Sequence, residues 1–353
     1  MLDFVYNATA MRVVFAAGGL SRLANEVATM GFERALVLCT PNQRDLAEAA
    51  SALLGKRCVG LFDGARMHVP IEVARTACAY ATSLNADGVV AIGGGSTIGL
   101  AKAIALDIGL PIVAVPTTYA GSEMTPIYGL TEDSAKRTGR DVRVLSRAVI
   151  YDPELTFGLP VALSVTSGLN AIAHAAEGLY ARDSNPVLDL MAEEGIRALA
   201  SGLPKLAATP DHLAARSDCL YGAWLCGTVL GQAGMALHHK LCHVLGGSLD
   251  LPHAETHAVM LPHTLAYNAP AAPEAMRRIV RAIGRPDASV GLHELANELG
   301  APTALRELGV AASDLERIAD LALANPYWNP RPLDRAAIAG LLRRAWAGAP
   351  PES

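Results

Sequence analysis

Six of the chain's ten histidines fall between positions 238 and 263: His238, His239, His243, His253, His257 and His263. The run reads LHHKLCHVLGG, then LPHAETHAVMLPH. His239 and His243 are four apart, as are His253 and His257, so each pair shares a helix face. Upstream, in GLNAIAHAAEG, Asn170 and His174 repeat that spacing. Two chemistries use such a set. Neutral imidazoles bind iron, zinc and similar ions, and His174, His239 and His253 with an oxygen of Asn170 make four donors. Those donors leave a divalent charge uncompensated in a low-dielectric site, which weakens binding, although three-histidine zinc sites exist. The other use is proton transfer. Imidazole titrates near neutral pH and suits a general acid, and an anionic substrate offsets the mutual repulsion of several imidazoliums. A pocket that binds a carboxylate and then donates a proton fits this pattern. Asn170 can also donate an N–H to a carboxylate or ketone, which an aspartate cannot.

A second group of residues points to a phosphate ligand. VVAIGGGSTIGLAKA places Gly93, Gly94, Gly95 and Ser96 between a strand and a helix. Glycines let the backbone approach a pyrophosphate, and a helix N-terminus offers N–H groups and a positive dipole end. In VPTTYAGSE, Thr117, Thr118 and Ser122 stand where they can hydrogen-bond a nicotinamide or ribose. Thr40 closes the first strand of the alternating set, where an acid commonly selects NAD by binding the ribose 2′-hydroxyl. Thr40 is neutral and Arg44 is near it, so weak discrimination between NADH and NADPH is expected. Lys136, Arg140 and Arg143 form a basic run in KRTGRDVRVLSR, and Lys240 sits inside the histidine run. Any of these can pair with a carboxylate.

The elements that must position these groups come in two halves. Strands are expected at 34–40, 57–64, 87–95, 111–118 and 147–155, with helices at 41–54, 70–85 and 97–108. Such alternation implies a mostly parallel sheet with helices on both faces. From about 160 the chain is rich in Ala and Leu at 3.6-residue period, broken by prolines near 160, 186, 204, 252, 270 and 302. The expected organisation is an α/β nucleotide-binding domain, 1–159, followed by an all-helical domain, 160–353. The active site is expected in the cleft between them, at the carboxyl ends of the strands.

Composition agrees. Apolar residues make up 51% and charged ones 18%, with a net charge of −5. A large core can form, and no basic face suggests nucleic acid. The six cysteines make no CxxC pair and read as core residues of a reduced, cytoplasmic protein. The opening MLDFVYNATAMRVVF does not read as a signal peptide, and no apolar run reaches the ~18 residues of a membrane span.

FVYNATAMRVVFAAG, VLCTPNQRDLAE, GGGSTIGLAKAIAL, VPTTYAGSEMTPIYGLTE, VTSGLNAIAHAAEGLYA, LYGAWLCGTVLG, GMALHHKLCHVLGG and LPHAETHAVMLPH together resemble the iron-containing alcohol dehydrogenase superfamily over essentially the whole chain. More narrowly, the sequence is similar to its maleylacetate reductase branch. The resemblance implies a dehydroquinate synthase-like fold, NADH or NADPH as hydride donor, and a homodimer. It also implies reduction of the double bond of a small dicarboxylate in aromatic catabolism. It places the superfamily's metal ligands on Asn170, His174, His239 and His253, and a non-ligand active-site histidine on His243. Asn170 stands where that superfamily has an acidic ligand, and the reductase branch is understood to work without a metal. The expected catalytic set is therefore His243, His253, His174, His239 and Asn170, with Arg140, Arg143 and Lys240 toward the substrate. The alternatives are a metal-dependent alcohol dehydrogenase of the same fold, a glycerol dehydrogenase-like relative and a non-catalytic nucleotide sensor.

Overall fold

The computed structural model describes residues 4–8, 10–132, 135–325 and 327–352. The side chain of Lys136 lies outside the described residues. Two compact units result. One spans residues 7–159, and the other spans 160–352 together with residues 4–6.

The first unit is built on strands β1 (Arg12–Phe15), β2 (Ala35–Leu38), β3 (Cys58–Phe62), β4 (Gly88–Gly93), β5 (Ile112–Pro116), β6 (Ile127–Glu132), β7 (Ala135–Arg140) and β8 (Ala148–Tyr151). Helices α1 (Leu23–Thr29), α2 (Arg44–Leu54), α3 (Ile71–Ser83) and α4 (Gly95–Ile108) alternate with them. Six strands form one all-parallel sheet in the order β1-β8-β5-β4-β2-β3. β2, β4 and β5 are buried on both faces, as uninterrupted apolar runs in a covered parallel sheet must be. The chain winds from β2 to β3 in one direction and from β4 through β5 to β8 in the other. The winding therefore reverses between β2 and β4, and a crevice opens beyond the carboxyl ends of strands at such a point.

Two elements of this unit differ from the sequence expectation. β1, the short edge strand RVVF, pairs with β8, and its four residues are too few to show a period. Of the basic run, Lys136 and Arg140 lie in β7, and Arg143 follows in a short 3-10 turn, Val142–Val144. β6 and β7 form an antiparallel ribbon of their own, whose polar, glycine-containing strands lack the alternation that marks a half-buried strand.

The second unit is helical among its described residues: α5 (Val161–Gly178), α6 (Pro186–Ala208), α7 (Leu213–Gln232), α8 (Leu237–Leu249), α9 (His253–Asn268), α10 (Pro273–Ile283), α11 (Ala288–Glu298), α12 (Leu315–Leu323) and α13 (Arg335–Ala347). Asn185 caps α6, its side chain accepting from the backbone N–H groups of Val187 and Leu188. The break expected at Pro204 does not occur, and α6 runs through it. Pro204 lies one turn from the helix end, where one missing ladder bond is tolerated because the helix is held by its neighbours. Cys219 and Cys226 on α7 pack against Gly202 and Gly195 of α6, and all six cysteines are free thiols. α5 is buried all round from Ser164 to Gly178. A helix without a wet face is a core element, so every polar group it carries needs a partner inside the protein.

Candidate active site

In the first unit, the residues expected to hold a nucleotide come together at the strand ends flanking the reversal. Gly94 is the extended N-cap of α4, and no side chain caps that helix. A Cβ built on Gly95 meets nothing within 4 Å, so open space lies over the helix N-terminus. Gly93 has φ +151°, and a Cβ there would fall 2.7 Å from Gln43 Oε1. The loop after β2 thus closes against the loop after β4. Gln43 Nε2 donates to Thr117 Oγ1 at 2.7 Å, and Thr40 Oγ1 lies 3.3 Å from Gln43 Oε1. Thr118 packs against Gly94. Exposed glycine backbone, an uncapped 14-residue helix and threonines after two strands fit a dinucleotide. Ser122 is placed differently from the expectation, because its carbonyl and hydroxyl both face the buried Lys102 ammonium, at 2.7 and 3.2 Å.

In the second unit, α5, α8 and α9 gather the histidines. Asn170, His174 and Glu177 lie along the buried face of α5. Glu177 is 1% exposed, and its carboxylate accepts from the backbone N–H groups of His238 at 2.8 Å and His239 at 3.3 Å. These are the second and third residues of α8, so Glu177 caps that helix from a neighbouring one. The same carboxylate accepts from His239 Nδ1 at 2.5 Å. Burial pushes the Glu177 carboxyl up, but the charges and hydrogen bonds that face it, those of His239 foremost, together hold the group below its ordinary range. His239 Nε2 lies 2.9 Å from His174 Nδ1. One carboxylate therefore fixes the helix, the tautomer of His239 and the head of a chain that reaches His174.

A second chain runs beside the first. Thr264 Oγ1 donates to the carbonyls of Met260 and Leu261 at 3.0 and 3.1 Å, which engages its one proton. His238 Nδ1, 3.0 Å from that hydroxyl, must then be the donor. Burial pushes the His238 imidazole down to about 3, and His239 adds to the effect, so His238 is neutral with a bare Nε2. His257 Nδ1 donates to it at 2.8 Å, and this leaves His257 Nε2 as a bare, fully buried acceptor without a partner. Burial also pushes His257 well below its ordinary value, aided by His253, His238, His239 and His174. The Oδ1 of Asn170 is a second buried atom without a partner.

His243 and His253 are the exposed members. Their rings stack at 6.5 Å, His243 lies 6.1 Å from His239, and His253 lies 4.3 Å from His257. Lys240 is half-buried, with its ammonium 5.7 Å from the Tyr327 ring centre. Arg140 ends β7 and is exposed. Arg143 is engaged, donating to Asp141 and to the carbonyl of Leu106. His263 stands apart from the cluster, its ring 6.3 Å from His293. Glu177, Thr264, Gln43 and Lys102 are not among the residues that spacing singles out, and His238 and His257, though part of the histidine run, are not in the expected catalytic set. Glu177 alone carried a local signal, three residues after His174 on the same face.

The resemblance-derived ligand set fits a divalent ion poorly. Asn170, His174, His239 and His253 bring no negative charge, and the buried carboxylate beside them already accepts three hydrogen bonds. His174 Nδ1 and His239 Nε2 share one proton, so as arranged one of these two nitrogens has no lone pair to offer. His238, Cys242 and His257 bring ligand atoms within 4.8 Å of one another. There the His238 lone pair is taken by His257, and burial pushes the Cys242 thiol up and keeps it protonated.

Comparison with known proteins gives one consistent picture. Residues 10–153 match the family model described as iron-containing alcohol dehydrogenase, and residues 164–346 match the C-terminal model of the Fe-containing alcohol dehydrogenase family. A maleylacetate reductase of Burkholderia cepacia is 60% identical, covering 99% of this chain and 100% of its own. A crystal structure of maleylacetate reductase from Agrobacterium tumefaciens superposes with a TM-score of 0.97 at 55% identity, over 99% and 100% of the two chains. A solved chain from Ralstonia eutropha JMP134, provisionally described as an alcohol dehydrogenase, superposes at 0.98 with 64% identity over 100% of both.

Proposed function

The chain belongs to the iron-containing alcohol dehydrogenase family, and from that premise we propose that it reduces the carbon–carbon double bond of maleylacetate to 3-oxoadipate. In this reading the donor is NADH or NADPH and no resident metal takes part. The observation that carries it is end-to-end similarity to maleylacetate reductases. The neutral donor set around Asn170 supports the metal-free part.

Gly93, Gly94, Gly95 and Ser96 would hold the pyrophosphate, with Thr40, Thr117 and Thr118 toward the ribose and nicotinamide ends. When bound, a reduced nicotinamide supplies a hydride to C2 of the substrate, the alkene carbon β to the ketone. The chain then has three tasks: hold two carboxylates, face the charge that develops on the ketone oxygen, and give a proton to C3. His243 and His253, the exposed imidazoles, take the proton and oxyanion roles. His174 and His239 stand behind them as further donors, and Glu177 balances a positive charge on that pair. Asn170 presents its amide to a carboxylate or the ketone. Among the basic candidates, Lys240 stands on α8 with the histidines, whereas Arg143 would have to leave Asp141 first. The reading includes a homodimer in the cytoplasm serving aromatic catabolism. Light scattering should give twice the mass of the chain.

The test is a spectrophotometric assay with maleylacetate and each nicotinamide, with and without EDTA, on protein of known metal content. Turnover that EDTA leaves unchanged is expected. No turnover overturns the function, and EDTA-sensitive turnover with stoichiometric iron or zinc overturns the metal-free part. Asn170→Asp should raise metal affinity roughly tenfold or more and lower the rate. Unchanged metal content and rate would mean that position 170 does not decide the matter.

A further inference from the structure

Around the end of β2, Arg44 and Glu48 of α2 form a charged group with Asp63, which spacing does not link to them. Arg44, the first residue of α2, donates from Nη1 to Asp63 at 2.6 Å and from Nε to Glu48 at 2.8 Å. Asp63 is the first residue after β3, which pairs in parallel with β2. The two strand ends are laced together: Cys39 N donates to Phe62 O at 3.0 Å, and Ala65 N to Cys39 O at 3.2 Å. Thr40 follows Cys39, so the neutral residue where a ribose-selecting acid commonly stands has a carboxylate beside it on the adjacent strand end. All three charged side chains are substantially exposed.

We propose that the Arg44–Asp63 pair, with Glu48 behind it, selects between NADH and NADPH in this chain. This rests on the nucleotide reading of the preceding section. Asp63 supplies the acceptor for a ribose 2′-hydroxyl that Thr40 does not, while Arg44 is the group that meets a 2′-phosphate. The formal charges of Arg44, Asp63 and Glu48 sum to −1. The cluster therefore favours NADH mildly, and Arg44 keeps NADPH from being excluded.

The charge can be changed in both directions. Asp63→Asn and Glu48→Gln each bring the sum to zero, and Arg44→Gln brings it to −2. Dissociation constants for NADH and NADPH, read from nucleotide fluorescence without substrate, give the preference ratio. Asp63→Asn should move it at least about fivefold toward NADPH, and Arg44→Gln at least about fivefold toward NADH. Glu48→Gln should move it less, in the direction of Asp63→Asn. All shifts should shrink at high salt. Opposite signs are the signature, because a merely structural disturbance weakens both nucleotides together. Ratios within twofold of wild type, or shifts of the same sign in Asp63→Asn and Arg44→Gln, overturn the proposal. If wild type binds neither nucleotide, the nucleotide reading falls with it. If wild type binds both and reduces maleylacetate while the ratio stays fixed, only the selector falls.

Discussion

Lys102 and the histidines of α8 and α9 are both buried, yet their hydrogen bonds end differently. The Lys102 ammonium has Ile127 O at 2.6 Å, Ser122 O at 2.7 Å, Thr125 Oγ1 at 2.9 Å and Ser122 Oγ at 3.2 Å. Three protons meet four oxygens, and the network closes on itself. Burial pushes the ammonium down to about 7, with Glu123 opposing, but each N–H has a place to go. The histidine chain that runs through His238 does not close. It starts at Thr264 and ends on the bare Nε2 of His257. A closed network ties loops to a helix and asks nothing more of its members. An open one holds groups whose protonation can change, next to the exposed His243 and His253. Mutations in the two regions should therefore fail differently: in rate for the histidines, in stability for the lysine.

The largest effect should come from the exposed imidazoles beside the buried histidines. His243→Ala should lower kcat by about 10²–10⁴-fold, the range for loss of a positioned acid or base. The dissociation constant for NADH should hardly move. A loss confined to cofactor affinity would mean that His243 has no part in the chemistry.

Lys102→Met should do the reverse. It leaves buried oxygens without a donor, and each unmade bond of that kind costs about 1–3 kcal/mol. A net loss of about 3 kcal/mol in urea unfolding is expected, with kcat of the folded protein near wild type. A large fall in kcat at unchanged stability would place Lys102 in the chemistry and erase the contrast.

How much of this the sequence discloses depends on how local each feature is. β2, β4 and β5 are uninterrupted apolar runs and can be read directly, as can the glycine turn before α4. The spacing of Asn170 and His174 shows a shared face because one helix fixes it. The role of Glu177 cannot be read that way, because it depends on the N-terminus of α8, some 60 residues later, lying against α5. The same holds for Thr264 and His238, which are 26 residues apart, and for Gln43 and Thr117, which are 74 apart. Lys102 sits in a run of alanines and isoleucines, where helical period predicts burial but supplies no partner. Its acceptors come from the segment between β5 and β6 and from β6 itself.

Acid should weaken the second unit in a way that counts its neutral histidines. His238 is pushed down to about 3 and His257 well below its ordinary value, and burial pushes His263 down to about 4 and lowers His293 too. Folded values below the unfolded value of ~6.5 mean that the unfolded chain binds more protons below that pH. The stability these groups contribute is full above about pH 6.5 and falls as pH drops. Each adds a slope of up to about 1.4 kcal/mol per pH unit. Glu177 acts lower, losing its contribution below its unfolded value of ~4.3. Urea unfolding at pH 7, 6 and 5 measures the slope. His238→Gln should reduce it by about one proton, and an unchanged slope would mean that His238 is not held neutral.

The smallest change tests the direction of the open chain. Thr264→Val keeps the shape and removes the acceptor for the Nδ1 proton of His238. Either a buried N–H is left unsatisfied or His238 adopts its other tautomer. In the second case Nε2 carries the proton and His257 Nδ1 must accept it, so the bare atom of His257 becomes a donor. Stability should fall by about 1 kcal/mol in either case. Imidazole ¹⁵N shifts separate the two outcomes, because a protonated ring nitrogen and a bare one resonate far apart. An exchange of the two His257 nitrogen signals in Thr264→Val is the expected result. If His257 Nε2 is already protonated in the wild type, the chain runs the other way, and the open end described here is a donor from the start.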